Sequence, residues 1–175
     1  MDLLDTMLHR RSTRTYTGET VTEEQLRRIL AAGQSGASGK GLYPWEFVVV
    51  QDPATLAELA DCRAQGAGRT VSAASAAIVV FGDAEKSDIW IEDCACALTN
   101  MHLMADSMGL ASCLIQGRLR HAKAGRTKDE ALRALLGAPD PYRLEGLLAV
   151  GVPKTHPAPH TLADVDEGKI HWGRF

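Results

Sequence analysis

The sequence predicts an α+β fold in which helices cover both faces of a small sheet. Four runs rich in apolar and β-branched residues have strand length and alternate with helical patterns; they span residues 46–50, 77–81, 111–116 and 144–151. The second run, Ala77-Ile78-Val79-Val80-Phe81, shows no polar alternation, so both of its faces are expected to be buried. A strand buried on both faces needs helices on each side of its sheet.

Size and charge narrow the class of protein. The chain has 175 residues and is 45% hydrophobic, enough for one ordinary core. Its formal net charge of -3, from 19 basic and 22 acidic residues, argues against a nucleic-acid-binding protein, which needs a broad positive face. The start of the chain does not read as a signal peptide, and no apolar run approaches the roughly 20 residues of a membrane span. We therefore expect a cytoplasmic protein with no membrane contact and four reduced cysteines.

Helix signals are clear between the strands. Thr22 predicts an N-cap, Gln25 closes a capping box, and Gly33 marks the end of that helix; Asp52-Pro53 opens the next. A long helix is expected over residues 89–108, with no charge between Asp93 and Asp106.

The long helix should also meet a second copy of the chain. Its predicted apolar stripe includes Ala95 and Leu98, and further apolar residues begin a second stripe. A chain of this size has little interior to bury such a helix, so a partner subunit is the expected cover. Residues 152–175 carry three prolines and no core of their own, and this tail is expected to lie on something else.

The densest chemical signal is Arg10-Arg11-Ser12-Thr13-Arg14, which we call the arginine segment. Such closely spaced cations repel one another unless an anion lies among them. Guanidinium groups pair bidentately with phosphate oxygens, so the segment suits a phosphate. The alternative is a set of surface ion pairs with Asp2, Asp5 or Glu19.

Several familiar motifs are absent. In residues 33–41 the spacing to Gly39-Lys40 is one residue too long for a P-loop, and Gly41 replaces the required Ser or Thr. No strand is followed by G-x-G-x-x-G, and no G-x-S-x-G is present. His156 and His160 are separated by prolines, and Cys94 and Cys96 face different sides of a helix, so no metal is expected. If the protein is an enzyme, a cofactor carries the chemistry.

Taken together, four segments resemble the FMN-dependent nitroreductase family. They are the arginine segment continued through Tyr16, the stretch Ala37-Ser38-Gly39-Lys40-Gly41-Leu42-Tyr43-Pro44-Trp45 with the strand after it, the long helix ending in Gly109-Leu110, and Ser112-Cys113-Leu114-Ile115-Gln116-Gly117. Residues 144–153 resemble the penultimate strand of the family. The resemblance covers nearly the whole chain in order.

The resemblance implies a fold and an activity. The sheet would be mixed and mostly antiparallel in one domain over residues 1–175, with the tail exchanged across a homodimer that binds two FMN. Hydride would pass from NADH or NADPH through FMN to a nitroaromatic, a quinone or a similar small aromatic oxidant. No acid or base side chain is needed for the first half of that cycle.

The resemblance also assigns residues. The residues that bind the FMN phosphate would be Arg10, Arg11, Ser12 and Arg14, with Lys169 and Arg174 from the C-terminus. The residues that reach the isoalloxazine ring of the neighbouring subunit's flavin would be Ala37, Ser38, Gly39 and Gly41. The third strand would contribute Leu114, Gln116 and Gly117, with backbone hydrogen bonds from Gln116 and Gly117 to flavin N5 and O4.

The chain departs from the family in the loop before Pro44-Trp45. Family members often have Asn and Gln in this loop, whereas this chain has Gly41 and Tyr43. Tyr43 either stacks on an aromatic substrate or packs against its own loop. Gln65 and Arg69 are candidates for the pyrimidine edge of the flavin, although no motif marks them. Three rival functions stay open: a flavin-binding storage or sensing protein, a specialised member that dehalogenates, dehydrogenates or fragments flavin, and an anion-binding protein without flavin.

Overall fold

The sheet has four strands. A computed structural model describes residues 2–62, 68–122 and 125–175 of the chain. Its strands lie in the order β1-β2-β4-β3, and their bounds are β1 Trp45–Val50, β2 Ala76–Asp83, β3 Ala111–Gln116 and β4 Tyr142–Gly151. All three neighbour pairings are antiparallel. Among the described residues, the parallel contact is one isolated bridge between Ser12 and Ser112. The predicted, mostly antiparallel sheet is confirmed, and β1 and β3 are its edges.

Helices cover both faces of this sheet, as the sequence predicts. Their bounds are α1 Leu3–His9, α2 Glu23–Gln34, α3 Pro53–Asp61, α4 Gly68–Ser72, α5 Trp90–Ser107 and α6 Lys128–Leu136. Helices α2 and α5 pack on one face with Ile78 and Val80 of β2. Helices α3, α4 and α6 pack on the other face with Val79 and Phe81. Helices α1 and α4 were not predicted, and the other observed ends lie within a few residues of the predicted ones.

Local capping explains where the helices begin. Thr22 and Gln25 form the predicted capping box of α2, which ends at Gln34, one residue beyond Gly33. Asp52 caps α3 as expected. Asp2 and Asp5 form a capping box at the start of α1. The carboxylates of Asp2 and Asp5 therefore serve the N-terminus of α1 and do not neutralise the arginine segment.

Helix α5 differs from the sequence prediction in its buried stripe. Ala95 is exposed, and Leu98 lies in the interior of the chain itself, only 2% exposed. Three polar residues, Asp93, His102 and Asp106, occupy buried positions of this stripe instead. Polar residues in a helix usually lie on its exposed face. The sequence pattern therefore could not show that these three are buried.

Close packing fixes α5 on its neighbours. A Cβ atom at Gly33 of α2 would lie 2.8 Å from Met101 Cγ. A Cβ atom at Gly82 of β2 would overlap the ring of Trp90 in the first turn of α5. These glycines bring α5 against both α2 and the sheet, and so set the position of its polar residues.

The tail after β4 is extended, as predicted. It contains two short 3-10 turns, Leu162–Asp164 and Glu167–Lys169, and every residue from 157 onward is exposed. Trp172 is 89% exposed. In the described part of the chain no helix is both long and apolar enough to cross a membrane.

Candidate functional site

The arginine segment lies against the outer side of β3. Ser12 and Ser112 form the isolated bridge, and the Thr13 backbone N–H donates to the Ser112 carbonyl at 3.0 Å. The segment starts at Arg10, the residue that caps the end of α1. The fold therefore places the three arginines beside an edge strand of the sheet.

A buried histidine holds the first of these arginines. Arg10 Nη1 donates to His102 Nε2 at 2.9 Å, and His102 Nδ1 lies 2.5 Å from Ser112 Oγ. A guanidinium group only donates, so Nε2 is the acceptor and the proton of the neutral ring is on Nδ1. Burial, helped by the charge of Arg10, lowers the pKa of His102 to about 4. At neutral pH the ring is uncharged and links Arg10 to β3.

The three guanidinium groups have no carboxylate partner within the described residues. Arg11 donates to the Ala158 carbonyl, and Arg14 donates to the Ser12 carbonyl at 3.2 Å. Hydrogen bonds from Thr161 are the main reason that the pKa of Asp164 is lowered, and the charge of Arg11 contributes least. Each guanidinium group has five N–H donors, so most remain available. Donors of this kind suit an anion.

The outer edge of β3 offers further donors. The Gly117 N–H donates to the Glu145 carbonyl at 2.9 Å, and Gln116 faces Gly146. Hydrogen-bonded and non-hydrogen-bonded pairs alternate in an antiparallel ladder, so the backbone groups of Gln116 and Leu114 point to the open edge. The implied flavin contact through the Gly117 N–H is not supported, because that group is already paired. The backbone of Gln116 is free to make such a contact.

The edge and the arginine segment form one continuous strip. From Ser112 to Gln116 the strand advances about 14 Å, at roughly 3.4 Å per residue. The Leu114 side chain, 38% exposed, lies between them. An elongated ligand with its anionic end at the arginines can follow this strip to the backbone of Gln116.

The loop before β1 is anchored by a buried carboxylate. Ser38 Oγ donates to Asp93 Oδ2 at 3.0 Å, and the Gly39 N–H donates to Asp93 Oδ1 at 2.9 Å. The Tyr43 N–H donates to Ser38 Oγ at 2.8 Å. Asp93 is 3% exposed, in the first turn of α5. A Cβ atom at Gly39 would overlap the Ile89 side chain, so a larger residue at this position would displace Ile89.

The same loop has an unusual backbone. Lys40, Gly41 and Tyr43 have φ values of 56°, 64° and 47°. Left-handed backbone is uncommon for residues other than glycine, above all for a bulky aromatic one. The hydrogen bond from Tyr43 to Ser38, itself held by Asp93, supports this conformation.

Tyr43 packs on Trp45 and stays partly exposed. Its ring meets that of Trp45 edge-on, with centroids 5.6 Å apart, yet Tyr43 is 55% exposed. The two rings line an open cavity of about 340 Å³ with Gln34, Glu46 and Phe47. Tyr43 thus packs against its neighbour and still presents a surface to a ligand. Ala37 and Gly41 of the same loop are exposed.

One chain does not bring all the predicted residues together. The loop leads into β1, whereas the arginine segment lies beside β3, three strand spacings or about 14 Å across the sheet. Lys169 pairs with Asp166 inside the tail. Arg174 has no hydrogen-bond or ion-pair partner in the described residues. Arg69 is exposed near the start of α4, and Gln65 lies outside the described residues.

Comparison with known proteins agrees with this geometry. The family model described as "Nitroreductase family" matches residues 7–74 and 63–152. A relative from Archaeoglobus fulgidus, named "Putative NADH dehydrogenase/NAD(P)H nitroreductase", is 33% identical over 83% of this chain and 82% of its own. The chain belongs to the nitroreductase family, and therefore to a class of oxidoreductases.

Solved structures give the same result. An FMN-dependent nitroreductase from Clostridium difficile R20291 matches with a TM-score of 0.95 and 36% identity, over 98% of this chain and 99% of that one. A nitroreductase with bound FMN from Bacteroides fragilis matches with a TM-score of 0.77 and 26% identity, over 98% of both chains. The α+β fold with a mostly antiparallel sheet, which the resemblance implies, is confirmed.

Two residues that position the site were missed in the sequence. Asp93 anchors the loop and His102 anchors Arg10, and both lie in α5. The sequence did contain one sign of them: polar residues stand at positions 93, 102 and 106, which fall among the buried positions of α5. A buried polar side chain in a long apolar helix needs a specific partner.

Asp93→Ala tests the anchor of the loop. It removes three hydrogen bonds to a carboxylate, from Ser38, Gly39 and Ser87, and leaves the Gly39 N–H without its acceptor. We expect the free energy of unfolding, measured with urea, to fall by about 3 kcal/mol. Asp88→Ala, in the exposed turn just before α5, should change it by less than about 0.5 kcal/mol. Equal stability of the two variants would show that the loop does not depend on Asp93.

His102 gives a pH dependence of stability. Its folded-state pKa, about 4, lies below its ordinary value of 6.5, so the unfolded chain binds more protons between these values. Stability should be complete above pH 6.5 and fall as the pH drops toward 4, with a slope approaching about 1.4 kcal/mol per pH unit.

Urea unfolding at closely spaced pH values measures this slope. His102→Gln, which can still accept from Arg10 and donate to Ser112, should flatten it in this window. His171→Gln, in the exposed tail, should leave it unchanged. A slope that is the same in all three proteins would contradict the assignment.

Proposed function

We propose that the protein is an FMN-dependent oxidoreductase that passes hydride from NADH or NADPH to a nitroaromatic, a quinone or a similar small oxidant. The proposal is supported by the names of its relatives, which refer to FMN and to NAD(P)H nitroreductase activity. The active form would be a homodimer with two FMN. One FMN-binding domain over residues 1–175 and a cytoplasmic location stay predictions.

One observation carries the choice of cofactor: three arginines, with no carboxylate partner in the part of the chain that the structure describes, lie at the start of an open strand edge. A dianionic phosphate matches their charge and their fork-shaped donors. The exposed side chain of Leu114 and the outward backbone of Gln116 continue from there, so the residues fit a flavin with a phosphate at its far end.

The residues of the chain would bind and orient this cofactor. Arg10, Arg11, Ser12 and Arg14 would hold the phosphate, and the Gln116 N–H would donate to the polar edge of the ring system near N5 and O4. FMN, when bound, supplies the chemistry, since its N5 accepts hydride and its ring passes the electrons on. The protein contributes position and hydrogen bonds, and none of the described residues is proposed as an acid or base.

A second copy of the chain would complete each site. The loop with Ala37, Ser38, Gly39 and Gly41 lies at the β1 edge, too far from the β3 edge to reach a ligand there in its own chain. In a homodimer this loop would approach the flavin of the partner. Tyr43 would then face the bound substrate.

The tail supports the same assembly. Its apolar residues are exposed in the isolated chain: Leu162, Val165, Ile170, Trp172 and Phe175. Such side chains require a covering surface. We propose that the tail crosses to the partner and pairs with the open edge of β1, which leaves the β3 edge to the cofactor. Lys169 and Arg174 would reach the phosphate only through this exchange.

Arg14→Ala tests the phosphate assignment. Arg14 is exposed and bonds only the Ser12 carbonyl among the described residues, so its loss should not disturb the core. We expect the free energy of FMN binding, from fluorescence titration, to weaken by about 1.5 to 3 kcal/mol. Arg10→Ala is less suitable, because it also removes the donor to the buried His102 Nε2.

The matched control for this measurement is Arg27→Ala, which removes an exposed arginine that pairs with Glu23 on α2. It should bind FMN like the unchanged protein. If Arg14→Ala and Arg11→Ala both bind FMN normally, the phosphate lies elsewhere. A protein that takes up no FMN at all would favour the anion-binding alternative.

Turnover distinguishes a reductase from a storage or sensing protein. Mixing the FMN-loaded protein with NADH or NADPH without oxygen should bleach the flavin absorbance near 450 nm, as followed by stopped flow. Addition of a quinone should restore the absorbance. A flavin that neither nucleotide bleaches would favour storage or sensing over the reductase.

Ala95→Lys tests the dimer. Ala95 lies on the exposed face of α5, and a charge there should prevent two such faces from packing. We expect sedimentation to show a monomer that has lost FMN. Ala134→Lys, an exposed position in α6 on the opposite side of the sheet, should remain dimeric. A dimeric Ala95→Lys protein would exclude α5 from the interface.

A further inference from the structure

We propose that His9, Asp106 and His156 form a binding site for a divalent transition metal such as Zn²⁺, separate from the cofactor strip. We call these three residues the His-Asp-His cluster. They come from three separate parts of the fold: the end of α1, the last turn of α5 and the start of the tail. The sequence pairs His156 with His160 and predicts no metal, whereas the fold pairs His156 with His9 and Asp106.

The ligand atoms of the cluster converge. His9 Nδ1 lies 2.8 Å from Asp106 Oδ2, and His156 Nε2 lies 3.5 Å from Asp106 Oδ1. All three ligand atoms lie within 4.8 Å of one another. The two imidazole rings stack with centroids 4.3 Å apart and planes 19° apart. The Asp106 side chain is only 5% exposed, so its charge is largely removed from water.

The hydrogen bonds of His156 leave one buried ring nitrogen available as a ligand. Its Nδ1 lies 2.7 Å from the Pro157 carbonyl, which can only accept, so the proton of the neutral ring is on Nδ1. The Nε2 of the neutral ring then carries a lone pair. This atom is buried and has no hydrogen-bond partner among the described residues. It faces a carboxylate oxygen at 3.5 Å, and two such acceptors face each other favourably only when a proton or a metal ion lies between them.

The donor set suits zinc. Two imidazole nitrogens and one carboxylate oxygen bind Zn²⁺ at about 2.0 to 2.2 Å, and tetrahedral ligands at such distances lie roughly 3.3 Å apart. The observed spacing is close to that geometry, and the two stacked rings would have to turn so that both lone pairs point at the metal. Water would take the fourth position. His9 Nδ1, the donor to Asp106 in the metal-free cluster, would release its proton when the metal binds, so affinity should increase with pH.

The metal would fasten the start of the tail to the body of the protein. The His160 N–H already donates to the Leu8 carbonyl at 2.9 Å, four residues after His156. Arg10, next to His9, directs one of its nitrogens to His102. The metal would therefore set where the tail leaves the body, without taking a residue from the phosphate site.

Metal titration of the protein as purified, after dialysis against a chelator, tests the proposal. Calorimetry should show one Zn²⁺ bound per chain. Co²⁺ should give visible bands of a four-coordinate site with nitrogen and oxygen ligands, without the intense near-ultraviolet band of a thiolate. His9→Gln and His156→Gln should each weaken Zn²⁺ binding at least tenfold.

Matched controls separate this site from other histidines. His160→Gln and His171→Gln, both in the exposed tail, should bind Zn²⁺ like the unchanged protein. Circular dichroism of each variant checks that a loss of binding is not a loss of fold. The proposal is overturned if the unchanged protein binds no Zn²⁺, if both cluster variants bind it normally, or if Co²⁺ gives a thiolate band.

Discussion

The candidate site depends on one neutral, buried imidazole. His102 accepts from Arg10 with one ring nitrogen and donates to Ser112 with the other, and so ties the arginine segment to the edge strand. A protonated ring could not accept from Arg10 and would repel it. Burial keeps the ring uncharged, since desolvation disfavours the cation. The proposed phosphate site would thus be positioned by a residue that need not touch the phosphate.

Much of the fold could be predicted from the sequence because the signals were local. The doubly buried strand at residues 76–83, the capping box at Thr22 and the cap at Asp52 depend on neighbouring residues only. The arginine segment was visible for the same reason. Charge density within five residues predicts an anion site whatever the fold.

The rest depended on contacts that no local pattern encodes. Asp93, His102 and Asp106 are polar residues in a helix whose sequence pattern is mostly apolar. Each makes a contact with a segment more than 50 residues away along the chain. His102 also contacts Ser112, which is close in sequence. The burial of Leu98 and the exposure of Ala95 follow from how α5 lies on the sheet. The paired N–H of Gly117 follows from the register of β3 and β4. Such facts require the three-dimensional arrangement.

The loop lies at the β1 edge and the arginines lie at the β3 edge, and this placement bears on how cofactor binding depends on protein concentration. If each cofactor is held between two chains, association of the chains and binding of the cofactor are a single linked equilibrium. Dilution would then release flavin even at constant free flavin, and the apparent affinity would rise with protein concentration. In such a protein, cofactor loading would report the abundance of the chain as well as the supply of FMN.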